Sequence, residues 1–476
     1  MAIKSINPAN GEVIETFEPF TDEQIDQTLA RASDAFRQWR NTSFEQRATL
    51  MRAVAKTLRA QRAELARHMT EEMGKPITEA EAEVDKCAWN CDYYAENAES
   101  FLANEPAPST ATQSYVAYRP LGVILAVMPW NYPFWQVFRF VAPGLMAGNT
   151  GVLKHASNVT RCGLEVERVI SEAAESVGAP AHLFQTVITP GSKVERLIKD
   201  PRIAAVTLTG SDPAGVSVAT AAGSVLKKTV LELGGSDAFI VLEDADLDAA
   251  AQMAAKARFQ NTGQSCIAAK RFIVVESVAD EFERKFADAA ASLKVGDPMD
   301  RATQVGPMAR ADLRDDMDRQ VRASVAAGAK VMAGGEPLPG PGSFYAPTVL
   351  SNVTSDMRVF REETFGPAAA VIRARDEAHA VELANDSDFG LGGAVWTRDI
   401  SRGERVASQV ESGAMFVNGM TASDPRLPFG GVKRSGYGRE LSSFGIREFV
   451  NIQTVWIGPA VSGPAVASPP VTAAVE

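Results

Sequence analysis

The chain has 476 residues, 45% of them hydrophobic and 22% charged, with a formal net charge of −11. One core stops growing at roughly 250–300 residues, so two or three domains are expected, and this composition excludes a disordered chain. The acidic balance, with no local basic patch, argues against nucleic acid or an anionic membrane surface as the main partner.

Residues 1–10 carry Lys4 and Pro8 but lack the apolar centre of a secretory signal. A helical pattern begins after Thr21, with Ile25, Leu29, Ala32 and Phe36 on one face and a capping box formed by Thr21 and Gln24. A second box, Ser43 and Gln46, opens a helix carrying Leu50, Val54 and Leu58. After Pro106 strand-like text appears at 115–118 and 123–128; the latter is the longest apolar run, closed by Pro129 and far short of the roughly 20 residues of a membrane span. Strands are then expected at 150–153, 204–208 and 238–242, each followed by a helix, and again at 271–275, 368–372 and 393–396, with a helix over 280–293. Strand and helix alternating in this way predict βαβ units around parallel sheets, an α/β fold in two successive blocks. Residues 458–476 are rich in Pro, Ala, Ser and Val without periodicity and read as a flexible tail.

The four cysteines, Cys87, Cys91, Cys162 and Cys266, are too few and too scattered for a disulfide framework or a paired zinc site. A reducing, cytoplasmic setting follows, with no metal. Cys266 ends the loop Asn261-Thr262-Gly263-Gln264-Ser265-Cys266, outside any apolar run, which suits a reactive thiol; the alternative is a small buried hydrophobe. The histidines, His68, His155, His182 and His379, stand in no recognisable catalytic setting, so a Cys–His pair is not the reading. Glu232 follows an apolar stretch and precedes Gly234 and Gly235; near apolar walls its pKa would rise and it would serve as a general base, whereas at a solvated strand end it would be an ordinary carboxylate. Asn131, between Trp130 and Tyr132-Pro133, is either a fixed amide donor or a turn residue. No G-x-G-x-x-G fingerprint occurs, but Gly210 and Ser211 follow a strand and enter a helix, a geometry that binds a pyrophosphate oxygen.

Five segments occur in order: Pro129-Trp130-Asn131-Tyr132-Pro133, Leu231-Glu232-Leu233-Gly234-Gly235, Asn261 to Cys266, Glu363-Thr364-Phe365-Gly366-Pro367, and Pro428-Phe429-Gly430-Gly431 with Lys433, Ser435 and Gly436. Together they resemble the aldehyde dehydrogenase superfamily over nearly the whole chain. The resemblance implies a Rossmann-like cofactor domain over 1–101 and 121–233, a catalytic α/β domain over 234–446, and a β protrusion from 102–120 and 447–457 that joins subunits into a homodimer or homotetramer. It also implies that Cys266 is the nucleophile, Glu232 activates the deacylating water, and Asn131 stabilises the oxyanion with the Cys266 N–H. The cofactor contacts it implies are Trp130, Lys154, Ser157, Gly210, Ser211, Leu233, Glu363 and Phe365. NAD-selective members often carry a glutamate three residues after the lysine; Ser157 stands there, so NADP or NAD is expected, with NADP favoured.

For the substrate, Tyr132, Trp135 and Arg139 are expected on one helical face, which the resemblance implies lines the aldehyde tunnel. An arginine there either anchors a carboxylate at the far end of the substrate or pairs with a protein carboxylate. Ser423 would add a hydrogen bond to the same carboxylate. The sequence is similar to bacterial succinate-semialdehyde dehydrogenases, although Gln260 stands where others have arginine, and Ala268 offers no second thiol beside Cys266. Oxidation of succinic semialdehyde is the expected reaction; broad-specificity aldehyde oxidation, a CoA-acylating relative and a non-catalytic module are the alternatives. Retention of Glu232 argues against CoA acylation, and presence of both Cys266 and Glu232 against a non-catalytic module.

Overall fold

The computed structural model describes residues 2–459. The tail expected at 458–476 thus lies, from residue 460 onward, outside the described residues. Both capping boxes form: Thr21 and Ser43 each accept from the backbone N–H three residues on, while Gln24 and Gln46 reach back to the cap N–H. The helices they open are Asp22–Trp39 and Phe44–Ala60. Ile25, Leu29 and Ala32 bury against one face of a six-stranded sheet, beside Leu125, Val152 and Leu208. Leu50, Val54 and Leu58 pack with the long helix Ile77–Phe101 and the helix Trp135–Met146 on the other face.

The six strands run in the spatial order Gly436–Tyr437, Lys228–Glu232, Ile203–Thr209, Val123–Met128, Thr150–His155, Phe184–Thr186. All neighbours are parallel except the first pair, so helices cover both faces and the inner strands are buried almost throughout. A second sheet of seven strands orders Lys330–Ala333, Thr348–Ser351, Ala368–Ala374, Ala269–Val275, Asp237–Val241, Gly392–Trp396, Ala414–Val417, with only the first pair antiparallel. The helix expected at 280–293 begins earlier, spanning Glu276–Ala291 directly after its strand. Near its end the chain returns to the first sheet: Gly436 pairs with Glu232, and Leu441 and Ile446 join the first core. A small antiparallel sheet joins Glu105–Pro106, Gln113–Pro120 and Val450–Ile457, with Val450 opposite Pro120 and Ile457 opposite Gln113. No helix among the described residues is long and apolar enough to cross a membrane.

The segment after Asn131 differs from the expected continuous helix. Helical structure starts at Trp135, and residues 131–134 form a bend and turn. Pro133 disfavours α geometry at Tyr132, and Glu83 then closes the helix start, its Oε1 accepting from the N–H groups of Phe134 and Trp135 at 2.9 Å each.

Candidate active site

Four parallel strands of the first sheet end side by side, and their carboxyl ends deliver the expected residues: Met128 leads into Trp130 and Asn131, Lys154 nearly closes its strand, Thr209 leads into Gly210 and Ser211, and Glu232 ends the fourth. Ligands of open α/β sheets bind outside such ends. Cys266 arrives from the other sheet on a strained loop. Asn261, Thr262 and Gly263 all have positive φ, 53°, 56° and 70°, a region costly for β-branched threonine. The surroundings compensate. Thr262 Oγ1 accepts from the Gly306 N–H at 3.1 Å, and Asn261 N donates to Glu79 Oε2 at 2.7 Å. Asn261 Nδ2 donates to the Asn131 carbonyl at 2.9 Å. Buried Arg258 donates to the carbonyls of Gly263 and Thr364, and buried Lys270 to those of Ser265 and Cys266 at 2.7 and 2.6 Å. Gly234 and Gly235 permit close approaches: a Cβ on Gly235 would lie 2.5 Å from the Cys266 carbonyl oxygen, and one on Gly234 would lie 2.7 Å from Glu363 Oε2.

Cys266 lines two cavities, one of about 510 Å³ and one of about 240 Å³. It is half-buried, whereas Cys87, Cys91 and Cys162 are buried. Burial pushes its thiol pKa up to about 12, with the positive charges of Arg139 and Lys270 pulling the other way. Glu232 is 2% exposed, and neither carboxylate oxygen finds a hydrogen-bond partner among the described residues. Burial raises its pKa well above the ordinary carboxylate range, the Glu440 charge raises it further, and Arg139 and Arg439 oppose the rise. Asn131 Nδ2 donates to the Gln264 carbonyl at 3.1 Å, which fixes the amide and leaves its second hydrogen free to donate.

The smaller cavity is lined by Trp130, Asn131, Gly210, Ser211, Leu233, Glu363 and Phe365, among others. Trp130 and Phe365 meet edge to face at 5.6 Å. Glu363 Oε1 accepts from the Gly235 N–H at 3.0 Å and lies 3.2 Å from Lys270 Nζ. Ser211 is the N-cap of the helix Asp212–Gly223, yet its side chain makes no capping bond. The helix amides are therefore available to a phosphate, and the lining suits the nicotinamide and pyrophosphate end of a dinucleotide. Lys154 and Ser157 do not line this cavity. Lys154 is buried without an ion-pair partner among the described residues, and its pKa is lowered by that burial. Ser157 is exposed, beside a small hollow whose walls, Ile3, His155, Thr160 and residues 186–189, hold no carboxylate.

The larger cavity brings together Trp135, Arg139 and Ser423 with Tyr132, Gln260 and Phe429. Arg139 is 2% exposed; its Nε lies 2.6 Å from Glu440 Oε2 as an ion pair without hydrogen-bond alignment, and its guanidinium stacks on Phe429 at 4.5 Å. Its Nη2 also donates to Thr209 Oγ1 at 3.3 Å. Arg139 is thus engaged with a protein carboxylate, the alternative raised by the sequence, while still facing the cavity. Truncating it leaves Glu440 buried beside Glu232. Arg139→Ala should therefore lower unfolding free energy by about 3–5 kcal/mol in urea denaturation; a loss below about 1 kcal/mol would mean the pair does not hold charge in the folded chain. Glu440, Lys270, Arg258, Glu79 and Lys86 escaped the sequence reading. Glu440 follows the Phe429 segment closely enough that a buried acid returning beside Glu232 was findable; the others carry no local signal.

The Aldehyde dehydrogenase family profile matches residues 1–455. The chain is 53% identical, over 98% of both sequences, to a protein of Mycobacterium avium (strain 104) named succinate-semialdehyde dehydrogenase [NADP(+)]. The crystal structure of succinic semialdehyde dehydrogenase from Streptococcus pyogenes in complex with NADP+ is 40% identical, with a TM-score of 0.93 over 96% of this chain and all of that one. A betaine aldehyde dehydrogenase from Staphylococcus aureus, in complex with NAD+, superposes with a TM-score of 0.91 at 30% identity, over 97% of this chain and 92% of its own. The chain belongs to the aldehyde dehydrogenase family.

Proposed function

We propose that the chain oxidises succinic semialdehyde to succinate with NADP, and less readily with NAD. The observation that carries the reading is Cys266 at the junction of two cavities, its carbonyl packed on Gly235, three residues after Glu232, whose buried carboxylate has no hydrogen-bond partner among the described residues. Bound in the smaller cavity, the oxidised dinucleotide supplies the hydride acceptor. Cys266 gives up its thiol proton to solvent as Sγ adds to the aldehyde carbon, the carbonyl π bond breaks, and Asn131 Nδ2 with the Cys266 N–H holds the oxygen that becomes negative. Loss of hydride leaves a thioester on Cys266. Glu232 then takes a proton from the water that attacks it, and the sulfur departs. Trp130, Gly210, Ser211, Leu233, Glu363 and Phe365 hold the dinucleotide, and Trp135, Arg139 and Ser423 face the aldehyde.

The succinic semialdehyde assignment is supported by a cation-bearing cavity and by the names of the M. avium and S. pyogenes relatives. Engagement of Arg139 with Glu440 favours one rival, broad oxidation of uncharged aldehydes. Steady-state kinetics with succinic semialdehyde, butanal and benzaldehyde, each with NAD and NADP, separate the two; similar kcat/KM for all three aldehydes would leave only the rival.

The cofactor preference rests on Ser157 and the carboxylate-free hollow around it, with Lys154 as the nearby charge. Ser157→Glu places a negative charge where a 2′-phosphate would sit and should cut kcat/KM for NADP by roughly 10- to 100-fold while sparing NAD. An unchanged NADP/NAD ratio would remove Ser157 from this role. We further infer a cytoplasmic homo-oligomer, a dimer or tetramer. Four unpaired thiols support the compartment, and Ile452, Trp456 and Ile457, exposed on the strand Val450–Ile457, support assembly through the small sheet.

A further inference from the structure

We propose that Lys86, presented by the helix Ile77–Phe101 and braced by Ser423 and Trp135, is the residue that selects a carboxylate at the far end of the aldehyde. The inference rests on the reading above and deepens it, because it moves the selecting charge away from Arg139.

Three cations line the larger cavity: Lys86, Arg139 and Lys256. Arg139 is engaged by Glu440 at 2.6 Å, and Lys256 is exposed. Among the described residues the Lys86 ammonium instead touches only neutral groups, Ser423 Oγ at 2.9 Å and the face of the Trp135 ring at 4.3 Å. The carboxylates nearest to it already have partners. Glu83 is held by Lys75 and by the N–H groups of Phe134 and Trp135, and Asp424 by Arg426 at 2.6 Å. Ser423 Oγ accepts from Lys86 and, at 3.0 Å, from Trp135 Nε1, so two donors converge on one hydroxyl and its own hydrogen is left to donate outward. An ammonium and a hydroxyl, neither bonded to a carboxylate, face the cavity together; the acids that also line it, Glu79 and Glu83, accept from the Asn261 N–H and from the N–H groups of Phe134 and Trp135. A carboxylate satisfies both, whereas an alkyl end satisfies neither.

The ammonium is held by a shallow margin. Burial and the Arg139 charge lower its pKa to about 8, while Cys87 from its own helix, Asp424 from the following loop and Glu83 pull it back up. Lys86 is therefore mostly charged at neutral pH and loses that charge as pH rises through 8 to 9, so discrimination for an anionic aldehyde should fade over that interval.

The test uses the full chain with NADP and compares kcat/KM for succinic semialdehyde with that for butanal. Lys86→Met should lower the succinic semialdehyde value roughly 10- to 100-fold, through KM, and change butanal less than about 3-fold; Lys86→Arg should restore it. In the unmodified chain the ratio of the two values should fall as pH passes 8, and in Lys86→Arg it should stay flat. A proportional loss on both aldehydes, or an unchanged ratio, overturns the role of Lys86. The pH comparison between the unmodified chain and Lys86→Arg decides the matter even where the methionine variant folds poorly. An unmodified chain with no preference for succinic semialdehyde overturns the substrate reading itself; a preference that survives in Lys86→Met overturns only this inference.

Discussion

Cys266→Ala yields no reduced nicotinamide above background with succinic semialdehyde, a loss of at least roughly 10⁴-fold, and no pre-steady-state burst. The magnitude follows from the chemistry: without the thioester, hydride must leave an unactivated aldehyde, and no other thiol reaches the junction of the two cavities, since Cys87, Cys91 and Cys162 are buried elsewhere. The fold should survive the change. The loop is held through the carbonyls of Ser265 and Cys266 on Lys270, through Thr262 on Gly306 and through Asn261 on Glu79, and none of these contacts uses the sulfur. Dinucleotide affinity, read by fluorescence titration, should therefore stay within a few-fold. Burst amplitude in the alanine variant would show that another group forms the covalent bond, and weakened cofactor binding would show that the thiol also holds the loop.

Local signals in the sequence carried the architecture a long way. The capping boxes at Thr21 and Ser43 reproduce in side-chain detail, and the strand at Val123–Met128 matches residue for residue. These features depend on neighbours within a few positions, where spacing reports structure directly. Pro133 shows the limit: the helical pattern continues through Tyr132, but the proline makes the helix begin at Trp135. The site divides along the same line. Cys266, Glu232 and Asn131 stand in short motifs, and the resemblance named them. Arg139 was legible as an arginine facing a cavity, but its engagement with Glu440 was not, because a buried ion pair between distant segments leaves no period or spacing behind. Lys86 is harder still. On the helix Ile77–Phe101 it is one of many charged residues, some buried and some exposed, and only Ser423 and Trp135, brought in from remote segments, give it a function-bearing environment. Polar residues whose partners arrive through tertiary contact are where sequence reading stops.

Glu232→Gln should release about one equivalent of reduced cofactor per subunit in the first turnover and then slow by roughly 10²–10⁴-fold, the usual contribution of a positioned general base. The substitution is nearly isosteric, and Glu232 has no hydrogen-bond partner among the described residues to lose. Its removal also relieves a buried carboxylate facing Glu440, so stability should hold or rise. The pH dependence has a definite sign. Burial and Glu440 raise the Glu232 pKa, so the protonated carboxyl, which cannot take a proton from water, persists to higher pH than in an ordinary carboxylate. Steady-state turnover limited by deacylation therefore rises with pH as the carboxyl ionises, and it should lose that dependence in Glu232→Gln. Ionisation of the Cys266 thiol, pushed up to about 12, does not confuse this reading, because in the thioester the sulfur carries the acyl group and has no proton to lose. Rapid-quench and stopped-flow measurements separate the phases. A burst that slows in proportion to steady-state turnover would make Glu232 the base for the thiol rather than for water. Steady-state turnover that keeps its rate and pH profile in Glu232→Gln would take the residue out of the mechanism and point to its buried neighbour Glu440.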